Sequence, residues 1–247
     1  MSKNKDNSNW FEDWFDSPYY HILYKNRDMV EAESFISSLL KYLKPSKTDF
    51  LLDVACGKGR HAKTMNDFGF SVDAFDLSEN SIANAKQFEN ENLSFYVNDI
   101  RKPLKVETYN FAFNLFTSFG YFDDDKENIE AIAAIAKSLK SDGILVLDFM
   151  NVEKVLKNLI IQETKEIDNI TFNITKSVVD NFIVKQISFY DNGQEYNYQE
   201  RVKVITQNDF IRYFSLANLK IEATFGDYQL NAFNESTSDR LIIVVKK

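Results

Sequence analysis

Residues 50–62 read FLLDVACGKGRHA. The apolar run Phe50, Leu51, Leu52 leads into Asp53 and Val54, and a turn with Gly57 and Gly59 follows before helix-forming residues. This order predicts a buried strand feeding a helix through a glycine turn. Such a strand–loop–helix is a ligand-binding element: glycine lets the backbone approach a bound molecule closely, and the first-turn amides of the helix are free to meet a polar or anionic group. Asp53 is the odd residue, because an acid just before the glycines is poorly matched to a pyrophosphate.

Working outward, residues 71–78 (SVDAFDLS) predict a second strand ending in Asp76, with Leu77 and Ser78 behind it. An acid about 20 residues past the glycines can accept hydrogen bonds from both hydroxyls of a ribose. Residues 95–100 (FYVNDI) end a third strand in Asn98 and Asp99, with Ile100 beside them, a set suited to the edge and face of an adenine ring. Three strand ends thus offer polar groups in turn at the carboxyl edge, where open α/β sheets bind ligands.

Gly57-Lys58-Gly59-Arg60-His61-Ala62 also satisfies the nicotinamide-type G-x-G-x-x-A pattern. Asp53, Asp76 and Asn98-Asp99 break the tie, because S-adenosylmethionine brings a cationic ammonium and sulfonium to the loop where a dinucleotide brings phosphates. Taken together, the motifs resemble those of the class I S-adenosylmethionine-dependent methyltransferases, across the first two thirds of the chain and its last strands. A narrower likeness is to bacterial small-molecule members with GRHA after the glycines, a SFGYF-like run after strand four and a late β-rich insertion. The chain departs from the family at Ala55, where the first glycine of the loop is usual.

The resemblance implies a Rossmann-like, doubly wound seven-stranded sheet whose last strand inserts antiparallel between strands five and six. It implies S-adenosylmethionine as cofactor, held by Asp53, Ala55, Cys56, Gly57, Gly59, Arg60, Asp76, Leu77, Ser78, Asn98, Asp99, Ile100, Asn114, Leu115 and Phe116. An N-terminal segment carrying Tyr20 and Arg27 is expected to fold over the methionine carboxylate. Thr117, Phe119 and Tyr121, after strand four, stand where the family's methyl donor meets its acceptor. The Asp/Asn-Pro-Pro-aromatic motif of nucleobase amine methyltransferases is missing there, which points to a small-molecule acceptor. The rival readings are a non-catalytic S-adenosylmethionine-binding module on the same fold and, further off, a nicotinamide enzyme.

The chain has 247 residues, a formal net charge of −8, 44% hydrophobic residues and a single cysteine. That is enough apolar material for one large core, or a core with a lobe. The acidic balance argues against a nucleic-acid partner, since affinity for phosphates comes from Lys and Arg. Cys56 has no internal disulfide partner, MSKNKDNSNW lacks a signal-peptide core, and no apolar run reaches bilayer-spanning length. A cytoplasmic protein without a membrane partner is expected; oligomeric state is not legible.

Four segments are expected. Residues 1–45 form an aromatic lid and a covering helix, with Trp10, Phe11, Trp14, Phe15, Tyr19, Tyr20 and Tyr24 crowded around Pro18 and the lid packed on the doubly wound sheet. Residues 46–162 form the cofactor-binding core. Residues 163–206, with hairpin signals at Asp180-Asn181 and Asn192-Gly193, form an antiparallel β lobe. Residues 207–247 return to the core through a helix opened by the capping box Thr206-Gln207-Asn208-Asp209.

No catalytic base is assigned; His21 and Tyr121 are the candidates, and in-line displacement can proceed without one. His61 reads as a packing or capping residue. Cys56 reads as a small side chain in a tight loop rather than a nucleophile. Asp123-Asp124-Asp125 reads as the solvated start of a helix rather than a metal site, and no metal is expected.

Overall fold

The computed structural model describes residues 14–25 and 29–247. In chain order the elements are α1 (Pro18–Leu23), α2 (Met29–Leu43), β1 (Phe50–Val54), α3 (Arg60–Asp67), β2 (Ser71–Asp76), α4 (Glu79–Ala85) and β3 (Leu93–Val97). Then come β4 (Tyr109–Asn114), α5 (Asp125–Ser138), β5 (Leu139–Met150), α6 (Val152–Lys157) and four strands, β6 (Gln162–Ile167), β7 (Ile170–Val179), β8 (Phe182–Asp191) and β9 (Gln194–Lys203). The chain ends with α7 (Gln207–Leu216), β10 (Lys220–Phe225) and β11 (Arg240–Lys246).

Seven strands form one sheet in the order β10-β11-β5-β4-β1-β2-β3. The pairs from β5 to β3 are parallel, while β11 runs antiparallel to both β5 and β10. This is the expected doubly wound sheet with its last strand inserted antiparallel. Parallel strands covered on both faces must be apolar throughout, and Leu51, Leu52, Val72, Ala74, Phe113, Val146 and Leu147 are all buried. One face meets Phe35, Ile36 and Leu39 of α2 and Ala62 and Met65 of α3. On α7, Phe210 packs edge-on to Phe149 of β5.

Helix ends follow the residues that can satisfy their free amides. Ser78 caps α4, and Asp124 caps α5 by accepting from the Lys126 amide. Thr206 and Asp209 form a reciprocal capping box at the start of α7. The acidic run at 123–125 therefore does start a helix, with Asp125 bonded to the Tyr213 hydroxyl at 2.7 Å.

Two compact units divide the chain, and the division differs from the four expected segments. Residues 29–157 and 205–247 make one unit; residues 14–25 and 158–204 make the other. In the second unit Trp14 and Leu23 are buried with Ile170, Phe172, Ile174, Ile187 and Phe189 of the four-stranded sheet β6-β7-β8-β9. The aromatic segment thus packs on the small sheet. A carboxylate fixes the join: Glu200 accepts from Trp14 Nε1 at 2.7 Å and from the Tyr24 hydroxyl at 2.6 and 2.9 Å, with the Lys185 ammonium 3.4 Å away. Tyr19 adds a bond to Asp191 at 2.8 Å.

The hairpin turns at Asp180-Asn181 and Asn192-Gly193 are present, each with two consecutive left-handed residues. A third turn of the same kind, Asp168-Asn169, joins β6 to β7. Its residue pair matches Asp180-Asn181 and carries the same signal. Among the described residues no helix is long and apolar enough to cross a membrane.

Candidate functional site

The carboxyl ends of β1, β2, β3, β4 and β5 carry Asp53, Asp76, Asn98, Asn114 and Asp148 in the larger unit. After β1 the chain turns sharply: Ala55, Gly57 and Gly59 all have positive φ, at 56°, 55° and 82°. Ala55 holds the left-handed conformation that explains a glycine preference at this position. At Gly59 an added Cβ would lie 2.5 Å from the Phe95 ring, whereas at Gly57 nothing stands within 4 Å. Gly59 is therefore required by packing, and the open side of Gly57 is where a ligand can come close to the backbone.

Asp76 secures this loop. Its Oδ2 accepts from the Gly57 amide at 2.8 Å and its Oδ1 from the Ser78 amide at 2.9 Å. One carboxylate thus ties the glycine turn to the start of α4, with Leu77 between them 44% exposed. Asn98 donates from its side chain to the carbonyls of Asp99 and Lys102, fixing the turn after β3. Asp99 is bonded on both oxygens by Arg101, which holds its carboxyl below the ordinary carboxylate range; Ile100 is half-buried beside it.

Asp53 is different. It is 1% exposed, and its Oδ2 is buried with no hydrogen-bond partner among the described residues. Burial pushes its pKa up to about 8; the Ala62 amide draws it down, the Asp76 charge adds to the rise, and Arg60 opposes it. On the neighbouring strand, Asn114 donates from Nδ2 to the Val54 carbonyl at 3.0 Å, leaving its buried Oδ1 without a partner among the described residues. Two orphaned acceptors at adjacent strand ends are costly, about 1–3 kcal/mol each and more for a charged group.

After β4 the backbone is strained. Phe116 and Thr117 have φ of 74° and 61°, and non-glycine residues held there cost about 1–3 kcal/mol each unless their surroundings fix them. Here they are fixed by Asp148, which is fully buried at the end of β5. Its Oδ2 accepts from the Phe116 amide at 2.8 Å and its carbonyl from the Thr117 amide at 3.1 Å. Arg240, opening β11, donates from Nε to Asp148 Oδ1 at 2.8 Å and from Nη2 to the Thr117 hydroxyl at 2.9 Å. Tyr228 donates to Asp148 Oδ2 at 3.3 Å and stacks on Phe35.

Beside them Glu31, Phe35, Arg60, His61, Phe116, Asp148 and Tyr228 line a narrow depression. The Arg60 guanidinium lies over the Phe116 ring and pairs with Glu31 at 3.1 Å. Burial, with Arg60 adding, pushes the His61 pKa down to about 3, so its imidazole is neutral at ordinary pH. The Cys56 thiol is held well above its usual range by burial, with Asp53 and Asp76 adding, and is no nucleophile.

Sequence reasoning missed Glu31, Phe35, Asp148, Tyr228 and Arg240. Asp148 had a usable signal, an acid ending the apolar run ILVLD, as in Asp53 and Asp76. Phe119, expected at the acceptor, is 2% exposed and packs against Phe210, so its ring belongs to the core. Leu115 is likewise buried. The Tyr121 hydroxyl donates to the Thr117 carbonyl at 2.6 Å. Tyr20 and His21 lie in the smaller unit, where Tyr20 packs against Trp14, Phe15 and Tyr24. Arg27 falls outside the described residues. Among the described residues no three His, Cys, Asp or Glu side chains gather to hold a metal ion.

Residues 45–208 match the family described as Methyltransferase domain. A provisionally named methyltransferase of Geobacillus sp. (strain WCH70) is 23% identical over 241 residues, covering 93% of this chain and 97% of that protein. A dTDP-3-amino-3,4,6-trideoxy-alpha-D-glucopyranose N,N-dimethyltransferase of Streptomyces venezuelae is 26% identical over 132 residues, covering 52% of this chain and 54% of that enzyme. Among solved structures, an S-adenosylmethionine-dependent methyltransferase from Clostridium acetobutylicum aligns with TM-score 0.77 at 18% identity, over 92% of this chain and 95% of that one. An amino pentose methyltransferase from Micromonospora echinaspora, solved with S-adenosylmethionine bound, aligns with TM-score 0.71 at 17% identity, over 93% and 97%. At those identities the structural likeness speaks for the fold.

Proposed function

Since the chain belongs to the methyltransferase domain family, we propose that it moves the methyl group of S-adenosylmethionine to an O, N or C atom of a small-molecule acceptor. The observation that carries this reading is the pair of orphaned acceptors, Asp53 Oδ2 and Asn114 Oδ1. A buried acceptor left without a donor favours a ligand that brings N–H groups and positive charge, and the amino-acid end of S-adenosylmethionine brings both. A pyrophosphate would add negative charge beside Asp53 instead.

In this reading Asp53 and Asn114 hold the ammonium. Asp76, with Leu77 and Ser78 behind it, accepts from the ribose hydroxyls, and Asn98, Asp99 and Ile100 meet the adenine. Ala55, Cys56 and Gly57 offer backbone over which the ligand lies. Arg60 and Phe116 line the space that receives one end of it, and Thr117 and Tyr121 stand toward the acceptor. Bound S-adenosylmethionine supplies an electrophilic methyl on a sulfonium, taken by in-line displacement. The part left to the protein is alignment and exclusion of water. His61, neutral with a pKa of about 3, is too weak a base to contribute. The named activity of the Streptomyces venezuelae relative makes amines the first acceptors to try.

Isothermal titration of the full chain with S-adenosylhomocysteine and with NAD tests the donor. Binding of the first and not the second is expected. Binding of NAD with no heat from S-adenosylhomocysteine overturns the reading.

A further inference from the structure

The Asp148–Arg240 pair is not needed to join the strands that carry it. β5 and β11 are already paired by a seven-residue antiparallel ladder from Arg240↔Met150 to Lys246↔Ile144. Asp148 is nevertheless fully buried, and the Arg240 side chain is largely withdrawn from water at 19% exposure. Burying a charge pair is costly unless its remaining bonding capacity is used well. Here every described side-chain bond from the pair, beyond their mutual one and that from Tyr228, goes to two residues: Phe116, through its amide, and Thr117, through its hydroxyl, while the Asp148 main-chain carbonyl accepts from the Thr117 amide.

Those two residues are the strained ones. Two successive non-glycine residues sit in the left-handed region, and the second is β-branched, the side-chain type that tolerates it least. Released, each would relax to negative φ, turning the peptide between them and carrying the Phe116 ring away from Arg60, 5.2 Å from its centroid. The end of β4, with the orphaned Asn114 Oδ1 two residues upstream, would lose its set shape.

We propose that Asp148 and Arg240 are positioning residues that lock Phe116 and Thr117 in the left-handed conformation and thereby shape the end of β4 for the methyl donor. The proposal rests on the donor assignment above. Its signature is that glycine at 117, which adopts positive φ freely, makes the lock unnecessary.

The test uses the full chain as Arg240→Gln, Arg240→Lys, the double variant Arg240→Gln/Thr117→Gly, and Thr117→Val, which puts a methyl group in place of the hydroxyl that Arg240 holds. S-adenosylhomocysteine affinity, melting temperature and hydrogen exchange over residues 114–121 are measured for each. Arg240→Gln is expected to weaken binding about tenfold and to speed exchange in that segment, with Arg240→Lys in between. Adding Thr117→Gly should return affinity to within about threefold of the parent while the melting temperature stays low. Thr117→Val should speed exchange in the same segment, and this decides the matter if Arg240→Gln does not fold. Parental affinity in Arg240→Gln, no rescue by glycine, or parental exchange in Thr117→Val would each overturn the lock. If the parent protein does not bind S-adenosylhomocysteine, the donor assignment fails, while exchange over 114–121 still decides whether the pair holds the turn.

Discussion

Glu200 in the smaller unit and Asp53 in the larger are both carboxylates withdrawn from water, and they are treated in opposite ways. Glu200 is surrounded by donors, Trp14 Nε1, the Tyr24 hydroxyl and the Lys185 ammonium, so its burial is compensated within the fold. Asp53 keeps one oxygen buried without a donor, and its pKa rises to about 8. A polar group buried for the fold brings its partners with it, and one buried for a ligand leaves a bond open.

The largest effect that sharpens this contrast is expected at Glu200. Glu200→Ala leaves an indole N–H, a phenol and an ammonium short of their acceptor, and should cost about 3 kcal/mol of stability, read by urea denaturation. A loss below about 1 kcal/mol, the level of an exposed ion pair, would show that this network is incidental.

Asp53→Asn should behave in the reverse sense. The unliganded protein should hold or gain stability, because the cost of keeping a buried carboxyl protonated is removed, while S-adenosylmethionine affinity falls by about 1.5–3 kcal/mol, the worth of hydrogen bonds to a charged group. A lowered melting temperature with unchanged affinity would place Asp53 in the same class as Glu200.

The smallest effect is in pH. The Asp53 carboxyl is raised from its ordinary value near 3.8 to about 8. The stability it contributes is therefore present below about pH 4 and is lost as pH rises toward and through 8. Binding of a cation needs the ionised form, so affinity for S-adenosylhomocysteine should climb from pH 6 to pH 8, by at most about tenfold per unit. In Asp53→Asn the same series should be flat; a parallel climb in the variant would assign the titration elsewhere.

The strand ends are legible in the sequence because each acid closes an apolar run, and Asp53 and Asp76 stand out on that ground alone. Asp148 shares the signal. Its partners do not: Tyr228 and Arg240 lie 80 and 92 residues further on, and only the antiparallel insertion of β11 brings them to the same edge. The aromatic segment is legible as a packed helix, but its sheet is not. Rings and β-branched residues face inward on both sheets, so composition near Pro18 does not choose between them. Phe116 and Phe119 are also indistinguishable in sequence; the two left-handed residues between β4 and Gly120 send one ring to Arg60 and the other into the core.

The joining of residues 14–25 to 158–204 has a consequence for biosynthesis. Trp14 and its acceptor Glu200 are 186 positions apart, so at about 5–20 residues per second the ribosome adds the second partner roughly 10–40 s after the first. Through that interval Trp14, Tyr19, Tyr20 and Leu23 have emerged while the sheet they pack on does not yet exist. They form a short aromatic stretch of the kind that chaperones retain and nascent chains aggregate through. Completion of the smaller unit is thus timed by β9, the last of its strands to be made.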